Sequence, residues 1–221
     1  MAVDIVALTV EDRELRVALY RRTERPDPGH VALPGGFVRI DESLEQAAAR
    51  LLEQKAGLRG VFLEQLYTFG DPRRDPRGRV ITVAYYALVD HRRFLVRGER
   101  TLTARVRVPW PGETGGPVEA LGDDGAPLPL AFDHADILGL ALKRLRGKID
   151  YSPVGFQLLP PEFTLRQLQD VHEVVQGRAL NKDSFRRRVL ASGQLEATGE
   201  RERDVSYRPA ELYRFTRRSA V

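Results

Sequence analysis

Six residues stand at fixed intervals between Gly36 and Leu58: Gly36, Glu42, Arg50, Leu52, Gly57 and Leu58. The intervals read G-x5-E-x7-R-x-U-x4-G-U, with U a bulky aliphatic, and they describe a loop, a helix and a second loop. Leu44, Ala47, Ala48, Leu51 and Leu52 recur at three- and four-residue steps, which predicts an amphipathic helix over 43–56. Asp41 or Ser43 can cap its start, and Gly57 suits a left-handed stop. Its apolar face needs a sheet to cover, and the flanking segments supply one. VDIVALTV (3–10) and ELRVALYRR (14–22) flank the turn-like Glu11-Asp12-Arg13 and predict a hairpin. TERPDPGH (23–30) reads as a loop, and ALPGGFV (32–38) as a short strand interrupted by a double glycine suited to a tight turn.

Strands resume at 60–70 and 78–90, on either side of the polar insert DPRRDPR (71–77). Residues 110–129 hold most of the Gly and Pro punctuation and read as an irregular surface loop. A helix over 131–149 follows, with Asp133 as its expected cap and Ile137, Leu138, Ala141, Leu142 and Leu145 as its buried face. There is no internal repeat.

The frame resembles the Nudix box, G-x5-E-x7-R-E-U-x-E-E-x-G-U, with every frame position kept. The three helix carboxylates are not kept: Leu51, Gln54 and Lys55 stand in their place. Cutting a nucleoside diphosphate linkage needs divalent cations, and Mg²⁺ takes oxygen ligands. An aliphatic, an amide and an amine do not supply them. Glu53 lies about 100° around the helix from Gln54 and does not replace it. No metal site, no catalytic residue and no required cofactor are therefore expected. Lys55 is the most suggestive change, because an ammonium can meet a diphosphate directly as a point charge. The stretch 71–79 carries four Arg around Asp75 and can bind phosphates. Tyr67 and Phe69, on one face of their strand, can stack on a base or belong to the core.

Beyond YSPVGFQLLPP the pattern changes, and a second unit begins. Thr164-Leu165-Arg166-Gln167 fits a capping box. Leu165, Leu168, Val171, Val174 and Val175 mark an apolar helix face that ends at Gly177. Asn181 can cap a second helix, NKDSFRRRVLA, and two strands follow around a charged tip, RERDVSYRP. Helix, short turn, helix and hairpin is the order of a winged helix-turn-helix. In that motif the second helix enters the DNA major groove. With Phe185 at zero on the helical wheel, Arg187 lies near about 200°, Ser184 near about 260°, Arg186 near about 100° and Arg188 near about −60°. Arg187 and Ser184 are the candidates for base edges, and Arg186 and Lys182 for phosphates. Arg188 lies beside the core seam, where it can also pair internally. Thr164, at the start of the first helix, is grouped with the DNA-facing residues. Arg201, Arg203 and Arg208 come from the wing, and Arg217 and Arg218 from the tail.

Charge agrees with that division. Residues 151–221 hold twelve Lys or Arg against nine Asp or Glu, most of the net +4 of the whole 221-residue chain. The absence of Cys excludes disulfides and thiolate chemistry, and the four scattered His argue against a His-based metal site. No run of 18 apolar residues exists, and the N-terminus lacks the basic start of a signal peptide. No membrane partner and a cytoplasmic location are expected.

The whole arrangement resembles the Nudix-related transcriptional regulators of the NAD-related, NrtR-like family. The resemblance is carried by ALPGGFV, the altered box at 36–58, LEQLYTFGDPRRDPRGRV (63–80), LAFDHADIL (130–138), the run at 163–190 and RPAELYRF (208–215). It implies an α+β chain: a Nudix-like α/β/α sandwich over 1–149 that senses an effector, fused to a winged helix-turn-helix over 150–221 that binds DNA. It implies a homodimeric repressor on a palindromic operator, released or tuned by ADP-ribose, NAD or a related nucleotide, controlling NAD biosynthesis or salvage genes. Some members govern sugar or other cofactor pathways instead. Gly36, Glu42 and Arg50 match the box frame, Arg74, Asp75 and Arg77 the family's polar loop, and Lys182, Phe185, Arg186 and Arg187 its recognition helix. With Lys55 and Phe69, the first two groups make up the expected ligand site. The rival class is an ADP-ribose-type pyrophosphatase with an accessory domain.

Overall fold

The first hairpin sets the frame of the sheet. β1 (Ala2–Glu11) and β2 (Glu14–Arg21) pair antiparallel, and the two residues between them, Asp12 and Arg13, both take positive φ, at 49° and 61°. That is the turn whose twist matches the flanking strands. The structure is a computed structural model, and it describes residues 1–94, 96, 100–203, 206 and 208–216. The expected tail contacts, Arg217 and Arg218, lie outside the described residues.

β3 (Val31–Ala32) pairs with β2, and β4 (Gly35–Phe37) with β1. α1 (Leu44–Ala56) follows. Ser43, not Asp41, caps it: its hydroxyl accepts from the Gln46 N–H while the Gln46 side chain accepts from the Ser43 N–H, and Gly57 closes the helix at φ 70°. β5 (Phe62–Phe69) pairs with β6 (Thr82–Leu88), and β6 lies parallel to β1. On the other side of β2 come β7 (Thr101–Arg107), β8 (Glu119–Leu121) and β9 (Pro127–Leu128). The strand order is β5-β6-β1-β2-β7-β8-β9.

β1 is buried on both faces, as period-two alternation requires of a central strand. Val3, Ile5 and Ala7 meet Ala47, Ala48, Leu51 and Leu52 of α1. Val6, Leu8 and Val10 face the opposite way, toward Ile137, Leu138, Ala141 and Leu142 of α2 (His134–Lys148). The layers are therefore helix, sheet, helix.

Most of the segment 110–129 is irregular, as its Gly and Pro content predicts, but it is not only a surface loop. It contributes β8 and β9, and its start is anchored in the core. Trp110 is buried, and its indole N–H donates to the Gly116 carbonyl at 3.1 Å. Arg146 of α2 reaches under it, donating to the carbonyls of Trp110 (3.1 Å) and Gly112 (2.9 Å). Gly139 has no room for a Cβ, which would sit 1.9 Å from the Gly116 carbonyl oxygen. Within the segment itself, Gly112, Gly115, Gly116 and Gly125 all take positive φ, the conformation that favours glycine.

The double glycine is not a tight turn either. Gly35 lies within β4, where a Cβ would come 2.3 Å from Asp4 Oδ1 and 2.6 Å from the Val3 carbonyl oxygen. Gly36 lies against the Leu51 side chain, 3.0 Å from where its own Cβ would be. The glycines let β4 pass over an aspartate and over the first altered position of the box.

A 3-10 turn at Pro153–Leu158 leads into the second unit. It comprises β10 (Glu162–Phe163), α3 (Leu165–Gln176), α4 (Lys182–Ala191), β11 (Leu195–Arg201) and β12 (Glu211–Phe215). The hairpin β11–β12 gains a third strand, β10, on the β12 side. The capping box at Thr164 and Gln167 forms, Gly177 ends α3 at φ 67°, and Asn181 caps α4. Phe163, Leu165, Leu168, Val171, Phe185 and Val189 join the same apolar cluster as the α2 face of the sheet.

Candidate effector cavity and DNA-facing helix

A cavity of about 560 Å³ opens where β1, β4, the C-terminal end of α1 and the β5–β6 loop meet. Gly35 and Gly36 form part of its floor, with Asp4 beside them. Gln54 and Lys55 enter from α1, and Tyr20 to Glu24 from the end of β2. Arg74, Asp75 and Arg77 come from the β5–β6 loop, and Phe132 and His134 from the start of α2. Of the expected ligand residues, Gly36, Lys55, Arg74, Asp75 and Arg77 meet there.

Glu42, Arg50 and Phe69 do not line it, and those three expectations are corrected. Arg50 donates through Nε to Glu42 at 2.8 Å, and its fork also reaches the Phe37 carbonyl. Glu42 in turn accepts the Arg39 N–H at 2.9 Å. The pair braces the loop ahead of α1, and the Arg50 guanidinium holds the Glu42 carboxyl down at about 2. Phe69 turns to the far side of the sheet and packs on the core, in edge contact with an exposed Tyr67 at 5.5 Å. The two rings touch each other, but Phe69 packs on the core while Tyr67 stays exposed, and neither lines the cavity.

Aromatic side chains at the cavity come from Tyr20, Phe37 and Phe132 instead. The Lys55 ammonium lies 4.2 Å from the centroid of the Tyr20 ring. Phe132, at φ 55°, has the Arg22 guanidinium 4.6 Å and the Arg77 guanidinium 5.5 Å from its ring centroid.

Beneath the floor runs a buried charge relay. Arg74, 5% exposed at its side chain, donates to both Asp133 oxygens (2.8 and 2.7 Å) and to Asp4 Oδ2 (3.3 Å). Burial works against its charge, but the two carboxylates more than offset this and raise its pKa. Asp133 occupies the cap position ahead of α2, but its side chain makes no capping hydrogen bond, because its carboxylate is committed to Arg74. His134 Nδ1 accepts the Leu33 N–H at 3.0 Å, and its Nε2 faces Asp4 Oδ1 at 3.6 Å. Burial lowers the His134 pKa, so the ring stays neutral with its proton on the Asp4 side. Arg74 thus shapes the cavity from below, and Asp75 accepts the Arg77 guanidinium at 3.0 and 2.7 Å.

The donor set does not fit a divalent cation. Leu51 is buried under Gly36, Gln54 offers an amide and Lys55 a cation. Three acids on or beside α1 are engaged elsewhere: Glu42 with Arg50, Glu45 with Ser43 and Tyr85, and Glu53 with Arg59. Among the described residues no cluster of three or more His, Cys, Asp or Glu could hold a metal.

On α4, Phe185 and Val189 are buried, while Lys182, Ser184, Arg186 and Arg187 are exposed, as the helical wheel requires. Arg188 takes the internal option and donates to Asp150 at 3.2 Å. Arg201 and Arg203 are exposed at the wing, the first donating to the Pro209 carbonyl and the second to Glu200. Thr164 is 3% exposed and its hydroxyl is used in the capping box. It belongs to the core and is removed from the DNA-facing set.

Comparison with known proteins agrees with this division. A NUDIX domain matches residues 1–110, and an NrtR DNA-binding winged helix domain matches residues 155–215. The chain is 36% identical over 217 residues to an ADPR responsive transcriptional repressor, NtrR, of Acinetobacter baylyi, covering 97% of this chain and 81% of that one. The crystal structure of Shewanella oneidensis NrtR complexed with a 27mer DNA is similar at a TM-score of 0.79 and 35% identity, covering 97% of this chain and 93% of that one. A MutT/nudix family protein from Enterococcus faecalis is similar at a TM-score of 0.79 and 27% identity, covering 97% and 85%.

Proposed function

The chain belongs to the Nudix-related transcriptional regulators of the NrtR type, and from that membership we propose its function: a repressor whose winged unit binds operator DNA while its Nudix-like cavity senses ADP-ribose or a related nucleotide. The carrying observation is the pairing of a cation-rich nucleotide-sized cavity that lacks metal-ligand carboxylates with a separate helix presenting an exposed basic face. NAD biosynthesis or salvage genes are the expected targets, in the cytoplasm.

We divide the chain between residues 149 and 150. Lys55 and Arg77 meet the diphosphate, one as a point charge and one as a planar fork. Phe132 and Tyr20 offer faces for the base or the ribose. Arg187 and Ser184 read base edges, Lys182 and Arg186 contact phosphates, and Arg201 and Arg203 flank them from the wing. As a homodimer, two such helices would meet half-sites about 34 Å apart on a palindrome.

The protein acts without turnover in this reading, since a sensor gains nothing by destroying its signal. Incubation with ADP-ribose and Mg²⁺ checks it alongside calorimetry. Saturable ADP-ribose binding with no AMP release supports the sensor. AMP release at enzymatic rates restores the pyrophosphatase.

A further inference from the structure

We propose that Arg13 is a positioning residue for DNA recognition, carrying occupancy of the cavity to α4 through Glu173; this rests on the effector reading above. β2 connects the two places. Its last residues, Tyr20 and Arg21, line the cavity. Its first residue follows Arg13, about 24 Å away at the rise of an extended strand. The Arg13 fork leaves the Nudix-like unit and closes on α3, pairing with Asp170 and donating to Glu173 Oε2 at 2.7 Å.

Glu173 is buried, and its other oxygen accepts the Leu180 N–H at 3.0 Å and the Gln169 amide at 2.9 Å. Gln169 also donates to the Leu180 carbonyl at 3.0 Å. Both backbone groups of Leu180 are therefore clamped, one residue ahead of Asn181, the cap of α4. The Leu180 N–H and then Arg13 hold the Glu173 carboxyl at about 2, so the hub stays ionised near neutral pH.

Arg13 occupies a poor position for an arginine. At φ 61° in a two-residue hairpin turn, glycine is the unstrained residue. The side chain is what the position gains in return. A second route exists through α2, whose His134 end lines the cavity and whose Arg146 donates to the Val175 carbonyl. That route joins buried backbone at the end of α3, whereas Arg13 engages the residue that fixes the turn into α4. A ligand that draws on Tyr20 or Arg21 biases the hairpin, and the closed latch favours one placement of the winged unit.

The test uses the full chain and a duplex selected by it from a random library. Operator affinity is measured with and without ADP-ribose, and ADP-ribose affinity by calorimetry. Arg13→Gly is expected to keep ADP-ribose affinity within about two-fold and the melting temperature undiminished, because the turn strain is relieved. Its ratio of operator affinities is expected to fall to within two-fold of unity, with Arg13→Lys intermediate. A wild-type ratio in Arg13→Gly assigns the coupling to α2 and overturns the proposal. Loss of ADP-ribose binding or of melting temperature in Arg13→Gly also overturns it, by making Arg13 a folding residue. A wild-type ratio of one in the parent chain overturns the effector reading itself, and the latch with it.

Discussion

The Lys55 ammonium sits 4.2 Å from the centroid of the Tyr20 ring, at the box position where the pyrophosphate-cleaving motif has a carboxylate. Lys55 has no carboxylate partner among the described residues, and the ring holds it over the cavity. Lys55→Ala is expected to weaken ADP-ribose binding about ten-fold, near 1.4 kcal/mol. Lys55→Glu should weaken it further, because a carboxylate repels the diphosphate. Calorimetric affinities equal to wild type in both variants would remove Lys55 from the site.

Arg74 is tied to two acids that have no other guanidinium partner among the described residues. Arg74→Met should lower unfolding free energy by about 3–5 kcal/mol, since it strands Asp4 and Asp133 in a buried setting. Denaturant unfolding measures this. A loss under about 1 kcal/mol would show that the floor does not depend on the relay.

Thr164 and Arg187 should separate stability from recognition. Thr164→Ala loses a cap, about 1 kcal/mol, and leaves operator affinity unchanged. Arg187→Ala leaves stability within about 0.5 kcal/mol but lowers operator affinity by about 1–3 kcal/mol if it reads a base. Lys182→Ala should instead weaken binding on every sequence and reduce the salt slope by about one. Equal effects of Thr164→Ala and Arg187→Ala on affinity would contradict the assignment.

Acid should report the Glu42–Arg50 brace. Glu42 is held at about 2, below the ordinary 4.5, first by the Arg50 hydrogen bond. A lowered folded pKa means the stabilisation is complete above 4.5 and is lost as pH falls through about 2. The stability difference between wild type and Glu42→Gln should therefore shrink across that window. A difference that is constant from pH 6 to pH 2 would rule out an ionised brace.

Local chemistry was legible in the chain. Ser43 with Gln46 and Thr164 with Gln167 act across three residues, and both capping boxes form as their spacing requires. The aliphatic steps of α1 and α2 likewise identify their buried faces. Long-range partners left no such trace. Arg74 finds Asp133 across 59 residues and Asp4 across 70, so Asp133 reads as a cap and Asp4 as an ordinary strand residue. Strand alternation drew attention to Tyr67 and Phe69, while the cavity takes Tyr20 from a strand end and Phe132 from a left-handed turn. The LAFDHADIL stretch was a family signal, but periodicity has no way to show where its Phe132 lies. Gly35 reads as a turn because its reason, the Asp4 carboxylate beneath it, belongs to another strand.

The most direct measurement is operator binding by the full chain, followed by fluorescence anisotropy on its selected duplex, with and without saturating ADP-ribose. The account predicts a shift in operator affinity of at least about five-fold, the scale of about 1 kcal/mol of coupling, with no AMP formed. An operator affinity that is the same with ADP-ribose, NAD and related nucleotides would contradict it.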